Sequence, residues 1–185
     1  MRQSLAVGAA AAVADHGVDI AVTDDWSARP GRAPEGLRRR TAATEDILLA
    51  VFPGHPLAAT ERPVTPRELT AAVADMTWLC SPEGQPSRVA GDRRLEDVGA
   101  APRVRWEFEG FATVAQLVAS GTGCAFLPES VARTQPGLRG LHLSPPMTRR
   151  ISLLTRASTA TSPTTRVCVD AIAGELRAVA DRGVE

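Results

Sequence analysis

The 185-residue chain contains no lysine; its 21 basic side chains are all arginine and balance 21 acidic ones to a formal net charge of zero. Without surplus positive charge these residues are poorly matched to nucleic acid, and no DNA-reading surface is expected within them. Arginine throughout, beside abundant Ala, Gly and Pro, is what a GC-rich coding sequence produces, so no phosphate chemistry is read into it. Cysteine is scarce. Cys80, Cys124 and Cys168 are odd in number, far apart and outside any CxxC spacing, which fits reduced thiols in a cytoplasmic protein better than a disulfide framework or a zinc site. His16, His55 and His142 are scattered too, so no metal site is expected. Long hydrophobic runs are also missing: Gln3 and Ser4 interrupt residues 1–13 and Asp15 closes them, too short a stretch for a secretory signal or a membrane span. What remains is a globular composition, 44% hydrophobic and 23% charged, able to bury one sizeable core or two modest ones.

Residues 5–14 are almost all small and apolar and lead to Gly17, which predicts an Ala-rich helix stopped by that glycine. A strand over 18–22 should follow, of the kind found in parallel sheets covered on both faces, ended by Thr23, Asp24 and Asp25. Breakers make 27–36 a loop, and two strands are expected over 37–43 and 46–52. The stretch from Pro53 to Pro66 reads as a connection. Beyond it the pattern restarts with a helix to about Val73, a strand over 77–80, a loop over 81–86, a helix capped by Ser87 and running to about Val98, and a strand over 104–108. Val114, Leu117 and Val118 recur at helical spacing within 111–120, and Gly121 with Gly123 precede a strand over 124–127. A Pro- and Gly-rich loop, a strand over 141–143, a strand over 151–155 and an amphipathic helix over 167–179 complete the pattern.

Alternating strands and helices indicate an α/β protein with parallel sheets. The two connections, near 53–66 and 135–148, divide it into a discontinuous first lobe, 1–58 with 146–185, and an inserted second lobe, 59–145. A cleft between lobes is the expected ligand site.

The run Gly17, Val18, Asp19, Ile20, Ala21, Val22 resembles the "G-x-hydrophobic-D-hydrophobic-A-hydrophobic" strand of LysR-type effector domains. Pro53 to Ala58 resembles that family's HPLA element, and Val64, Thr65 and Leu69 follow as its "vt-x-x-x-L". Residues 117–128, from Leu117 to Pro128, are similar to its "LVAxGxGxxxLP". The resemblance covers nearly all of the chain from Ala12 onward. It implies a type 2 periplasmic-binding-protein-like fold with two Rossmann-like lobes joined by two crossover segments. It also implies a small-molecule effector, with an anionic one among the candidates, and homo-dimers or higher oligomers formed through the effector domain. Members begin with a winged helix-turn-helix and the first strands of lobe one, and neither precedes Met1. Lobe one is therefore expected to be incomplete, with DNA contacted only through the missing domain and the 18–22 strand left as an edge.

Phe111, Ala112 and Thr113 open a helix whose free N–H groups suit a carboxylate, though Thr113 as a cap and Phe111 as core is the plainer alternative. Ser81 and Pro82 follow one strand end, and Thr23 and Asp24 occupy the matching position in the first lobe. Asp24 with Asp25 suits a cationic or hydroxyl-bearing effector, or is a pair of solvated turn residues. Trp26 either walls the cleft or anchors its loop. Gly121 and Gly123 join the effector-binding candidates; as a lone GxG they signal a tight turn more than a nucleotide. His55 has no nucleophile or carboxylate at a recognisable spacing and is assigned a structural role. No catalytic constellation and no cofactor motif is found, so sensing is expected rather than turnover; a transport-type solute-binding protein and an enzyme on the same fold are the competing readings.

Overall fold

The computed structural model describes residues 8–27 and 31–181, so residues 5–7 of the expected first helix and 28–30 of the first loop lie outside the described residues. The alanine run forms helix α1 (Ala9–Ala14). It does stop before Gly17, but the left-handed residue is His16, at φ 60°. Gly17 serves by its small size: a Cβ there would lie 3.3 Å from the carbonyl oxygen of Ala12, which accepts the Val18 N–H at 3.0 Å.

Contacts divide the chain into two units, Met1–Thr44 with Arg149–Glu185 and Glu45–Thr148. In the first unit, β1 (Ile20–Asp25) pairs antiparallel with β7 (Thr148–Arg156), from Ile20 opposite Thr155 to Asp25 opposite Arg150. The expected parallel pairing is therefore corrected for this strand. Thr23, Asp24 and Asp25 do not end it but belong to it, because Arg149 and Arg150 on β7 supply cations that offset aspartate's poor strand propensity. β1 lies at the end of the strand order, and Val22 is half exposed. On the other side of β7 runs β2 (Leu37–Val51).

Both faces of this sheet are covered. Alternation along a strand sends Leu154 to one face, where it meets Val13 of α1 and Ala21, and Leu153 to the other, where it meets Val169 and Ala173 of helix α6 (Pro163–Asp181). Arg156, almost fully buried, ties the first face together by donating to the carbonyls of Val13 and Val18 at 2.9 and 2.8 Å and to Asp19 at 2.5 Å. A cation at the end of α1 suits the negative helix terminus.

β2 corrects a second expectation, since it is one strand and not two. Thr44 and Glu45 lack turn chemistry, and the buried Glu45 carboxylate accepts the Ser130 N–H at 2.9 Å. Within the second unit, the end of β2 pairs antiparallel with β5 (Ala125–Pro128) and with β6 (Arg139–Leu141), which lies two residues earlier than expected. Leu143, expected in that strand, instead bridges Val64. Pro56–Ala59 forms a 3-10 turn, and Pro66–Asp75 forms helix α2.

The parallel pairing appears in β3 (Trp78–Cys80) and β4 (Arg105–Glu107). Helix α3 (Pro86–Asp97) lies between them in sequence, with Gln85, not the expected Ser87, at its N-cap. Helix α4 (Phe111–Ala119) buries Val114, Ala115 and Val118 against Leu79, Ala125 and Leu127. A short helix α5 (Glu129–Thr134) was not expected from the sequence; Pro128 precedes it and Arg133 pairs with Glu129 one turn away.

Candidate functional site

β3 ends at Cys80, and the chain turns at Ser81 before Pro86 opens α3. Where these elements meet α4, the second unit holds a small concavity, partly open to solvent. Its apolar wall comes from Trp78, Phe111, Val114 and Phe126, with Trp78 and Phe126 meeting edge to face at 4.8 Å. Its polar side comes from Cys80, Ser81, Ser87, Arg88 and Asp92. An apolar wall with a few convergent polar groups is the general pattern of a small-molecule site.

Arg88 organises the polar side. Its Nε donates to Asp92 at 2.7 Å, and its Nη1 donates to Glu107 at 2.6 Å and to the Ser81 carbonyl at 3.2 Å. Arg105 holds the other Asp92 oxygen at 2.6 Å. Burial opposes charge on Arg88, but its bonds to Glu107 and Asp92 outweigh that and hold its pKa above the ordinary arginine value. Two cations thus face two carboxylates, so the group is near neutral and rigid rather than an open anion trap. The Ser87 hydroxyl donates to Ser81 Oγ at 2.8 Å. Ser87 is therefore occupied with Ser81 instead of capping α3. Burial pushes the Cys80 thiol up despite Arg88 and Arg105 nearby, so it stays protonated at neutral pH and is a weak nucleophile.

Of the residues singled out from sequence, Ser81 and Phe111 are brought together here. Phe111 also packs on the unit's core, so the two readings of it are compatible. Ala112 and Thr113 lie in the exposed first turn of α4, whose N-cap is Gly110 at φ 82°, so Thr113 is not the cap. No side chain caps this end. Pro82 shapes the turn after β3, its carbonyl accepting the Gln85 N–H at 3.3 Å, and does not line the concavity.

Gly121 and Gly123 do not line it either. Gly121 takes φ 81° after α4, and a Cβ on Gly123 would lie 2.2 Å from the Thr77 carbonyl oxygen. Both therefore serve the turn and the close approach of β5 to β3.

Thr23 and Asp24 belong to the first unit, within β1. The Thr23 hydroxyl donates to the Ser152 carbonyl at 3.4 Å, and Asp24 accepts from Trp26 Nε1 at 2.6 Å and from Arg149 at 3.4 Å. Trp26 is buried, with the Arg149 guanidinium 5.9 Å from its ring centre, which is the anchoring role. Burial raises the Asp25 carboxyl, but bonds from Ser27 and Arg150 outweigh it and hold the pKa below the ordinary value. Asp24 and Asp25 are thus partnered within their own unit and are not solvated turn residues.

Sequence reasoning missed Trp78, Arg88, Asp92 and Phe126. The one local signal was Arg88 and Asp92 four apart on a helix of low apolar content. Among the described residues no group of His, Cys, Asp and Glu is placed to hold a metal, and no helix is long and apolar enough to cross a membrane.

Comparison with known proteins agrees with this architecture. The regulatory domain of CcmR from Synechocystis PCC6803, solved in complex with 2-PG, superposes with a TM-score of 0.74 at 18% identity, over 97% of this chain and 82% of that one. The reduced form of the OxyR regulatory domain from Pseudomonas aeruginosa gives 0.73 at 18% identity, over 96% and 79%. The C-terminal domain of a probable LysR family transcriptional regulator from Rhodococcus sp. RHA1 gives 0.71 at 18% identity, over 92% and 82%. No curated protein sequence matches the chain. At these identities the likeness establishes the fold, a type 2 periplasmic-binding-protein-like α/β fold. The family model described as the LysR substrate binding domain matches residues 2–177, and the chain belongs to that family.

Proposed function

We propose that this chain senses a small molecule for a LysR-family transcriptional regulator, and that the concavity beside β3, α3 and α4 takes part in holding it. The observation carrying this reading is that Ser81 and Phe111, thirty positions apart in sequence, line one partly apolar recess. The recess suits a compact ligand with a flat apolar body against Trp78, Phe111 and Phe126 and a hydroxyl or carboxylate end at Ser81, Ser87 and the α4 terminus. Arg88 positions this polar end rather than neutralising it, since Asp92 and Glu107 already engage its charge. Binding modulates transcription only insofar as the ligand prefers one conformation of the regulator over another. Nothing in the recess resembles a nucleophile with its base, and sensing without turnover is the role proposed.

The test is a thermal-shift screen of small hydroxy and carboxylic acids, followed by calorimetry on any hit. Ser81→Ala and Phe111→Ala should each weaken a hit's affinity about tenfold; Ser81→Ala should leave the unliganded melting temperature within a few degrees of the parent, whereas Phe111→Ala, which also removes core packing, should lower it. A hit whose affinity neither substitution changes would place its site elsewhere.

A further inference from the structure

The guanidinium of Arg88 has N–H groups on three nitrogens, and those on one of them go unused. Its Nε donates to Asp92, and its Nη1 donates to Glu107, to the Ser81 carbonyl and, at 3.6 Å, to Cys80 Sγ. Among the described residues nothing accepts from Nη2, although the side chain is only 9% exposed and lines the recess. The Ser81 hydroxyl lines the same recess in the same condition: it accepts from Ser87 Oγ at 2.8 Å, and no described residue accepts from it. Donors withdrawn from bulk water without an acceptor are unfavourable, so a ligand that supplies one is favoured.

Hydrogen-bonding capacity is left over here, but charge is not. Arg88 and Arg105 stand against Asp92 and Glu107, with Asp92 bridging the two guanidinium groups. A carboxylate brought to Nη2 becomes the third anion around one cation, and its repulsion from Asp92 and Glu107 offsets the attraction. It also sheds the water that stabilised its charge. An uncharged carbonyl oxygen meets the same donors and incurs neither penalty, while a bond from a charged guanidinium remains stronger than one between neutral groups.

We propose that the recess selects an uncharged ligand whose carbonyl oxygen accepts from Arg88 Nη2 and the Ser81 hydroxyl, and that it disfavours the carboxylate of the same shape. This rests on the ligand reading above and narrows the polar end from hydroxyl or carboxylate to amide- or ketone-like. The start of α4 adds donors and about half an elementary charge, less than one carboxylate carries. Arg88 is then a specificity-determining residue, and Asp92 and Glu107 set its preference by holding its charge.

Calorimetry at about pH 7.5 with matched probes tests this: benzamide against benzoate, and phenylacetamide against phenylacetate, each pair alike in shape and different in charge. Each amide should bind at least about tenfold tighter than its acid, and Ser81→Ala should weaken the amides by a similar factor. Glu107→Gln, which keeps an acceptor for Arg88 on an exposed side chain, should narrow the preference to about threefold or less by raising the acid's affinity. Asp92→Asn should do the same. A merely structural role for these carboxylates would lower both affinities together and leave their ratio unchanged. Acids that bind as tightly as the amides, with both weakened by Ser81→Ala, would keep the ligand site and overturn the charge selection, as would a ratio unmoved by either carboxylate change. Amides that do not bind, or whose binding ignores Ser81→Ala, would remove the recess as the ligand site and this inference with it.

Discussion

Protonating His55 removes a hydrogen-bond acceptor that the fold uses. The ring is buried, edge-on to Phe52 at 6.1 Å, and its Nδ1 accepts the Leu57 N–H at 3.1 Å to cap the turn that follows β2. Burial holds its pKa below the ordinary 6.5, with Asp75 opposing only in part. The unfolded chain therefore takes up a proton at a pH where the folded one does not. Stability from this group is complete above about 6.5 and is lost as pH falls through that value toward the lower folded pKa. Urea midpoints measured at about pH 7.5 and 5.5 should fall for the parent. His55→Asn keeps a capping acceptor that does not titrate, and its midpoint should fall less. Equal losses in both proteins would contradict the assignment. A structural role for His55 was expected from the sequence because no nucleophile or carboxylate stands at a recognisable spacing from it. The identity of its donor was not legible, nor was the reason for Gly123, whose neighbour is Thr77, far back in the chain.

The existence of α2 was readable, as a helix to about Val73, but its start was not, since Thr65 and Pro66 were assigned to the connection. Thr65, Pro66 and Glu68 form a capping box in which Thr65 Oγ1 accepts the Glu68 N–H at 3.4 Å and Glu68 Oε2 accepts the Thr65 N–H at 3.0 Å. Arg62 adds two bonds to the same carboxylate, and with the Thr65 bonds holds the Glu68 pKa down to about 2. Thr65→Ala should lower the unfolding free energy by about 1 kcal/mol, read as a reduced midpoint with an unchanged denaturant slope, whereas Thr65→Ser should retain most of it. A parent-like midpoint in the alanine variant would remove the cap from the account. Elements set by distant partners were misread. β2 looked like two strands because its continuity rests on Glu45 reaching Ser130, and the end of β1 looked like a turn because its aspartates are matched by arginines on β7. The helix α5 has only six residues and too little periodicity to register.

At the scale of the molecule the fold class was legible because many ordered motifs agree, while of the candidate recess only Ser81 and Phe111, at a strand end and a helix start, had been singled out from the sequence. Trp78, Arg88 and Phe126 reach the recess through packing, which leaves no local pattern. Charge, by contrast, is a whole-chain property that needs no fold to read, and the structure adds where it goes. Of the 21 arginines, those bound to carboxylates of the same chain include Arg40, Arg62, Arg88, Arg105, Arg133, Arg149, Arg150 and Arg156. Phosphate contacts draw their affinity from cations that release counterions, and here much of the cationic charge is already neutralised at zero net charge. The 185-residue protein should therefore bind duplex DNA more weakly than about 100 µM at physiological salt, below ordinary non-specific association. A mobility-shift titration at two salt concentrations measures this directly. A retarded complex that survives excess competitor duplex would show that these residues carry a DNA-reading surface of their own.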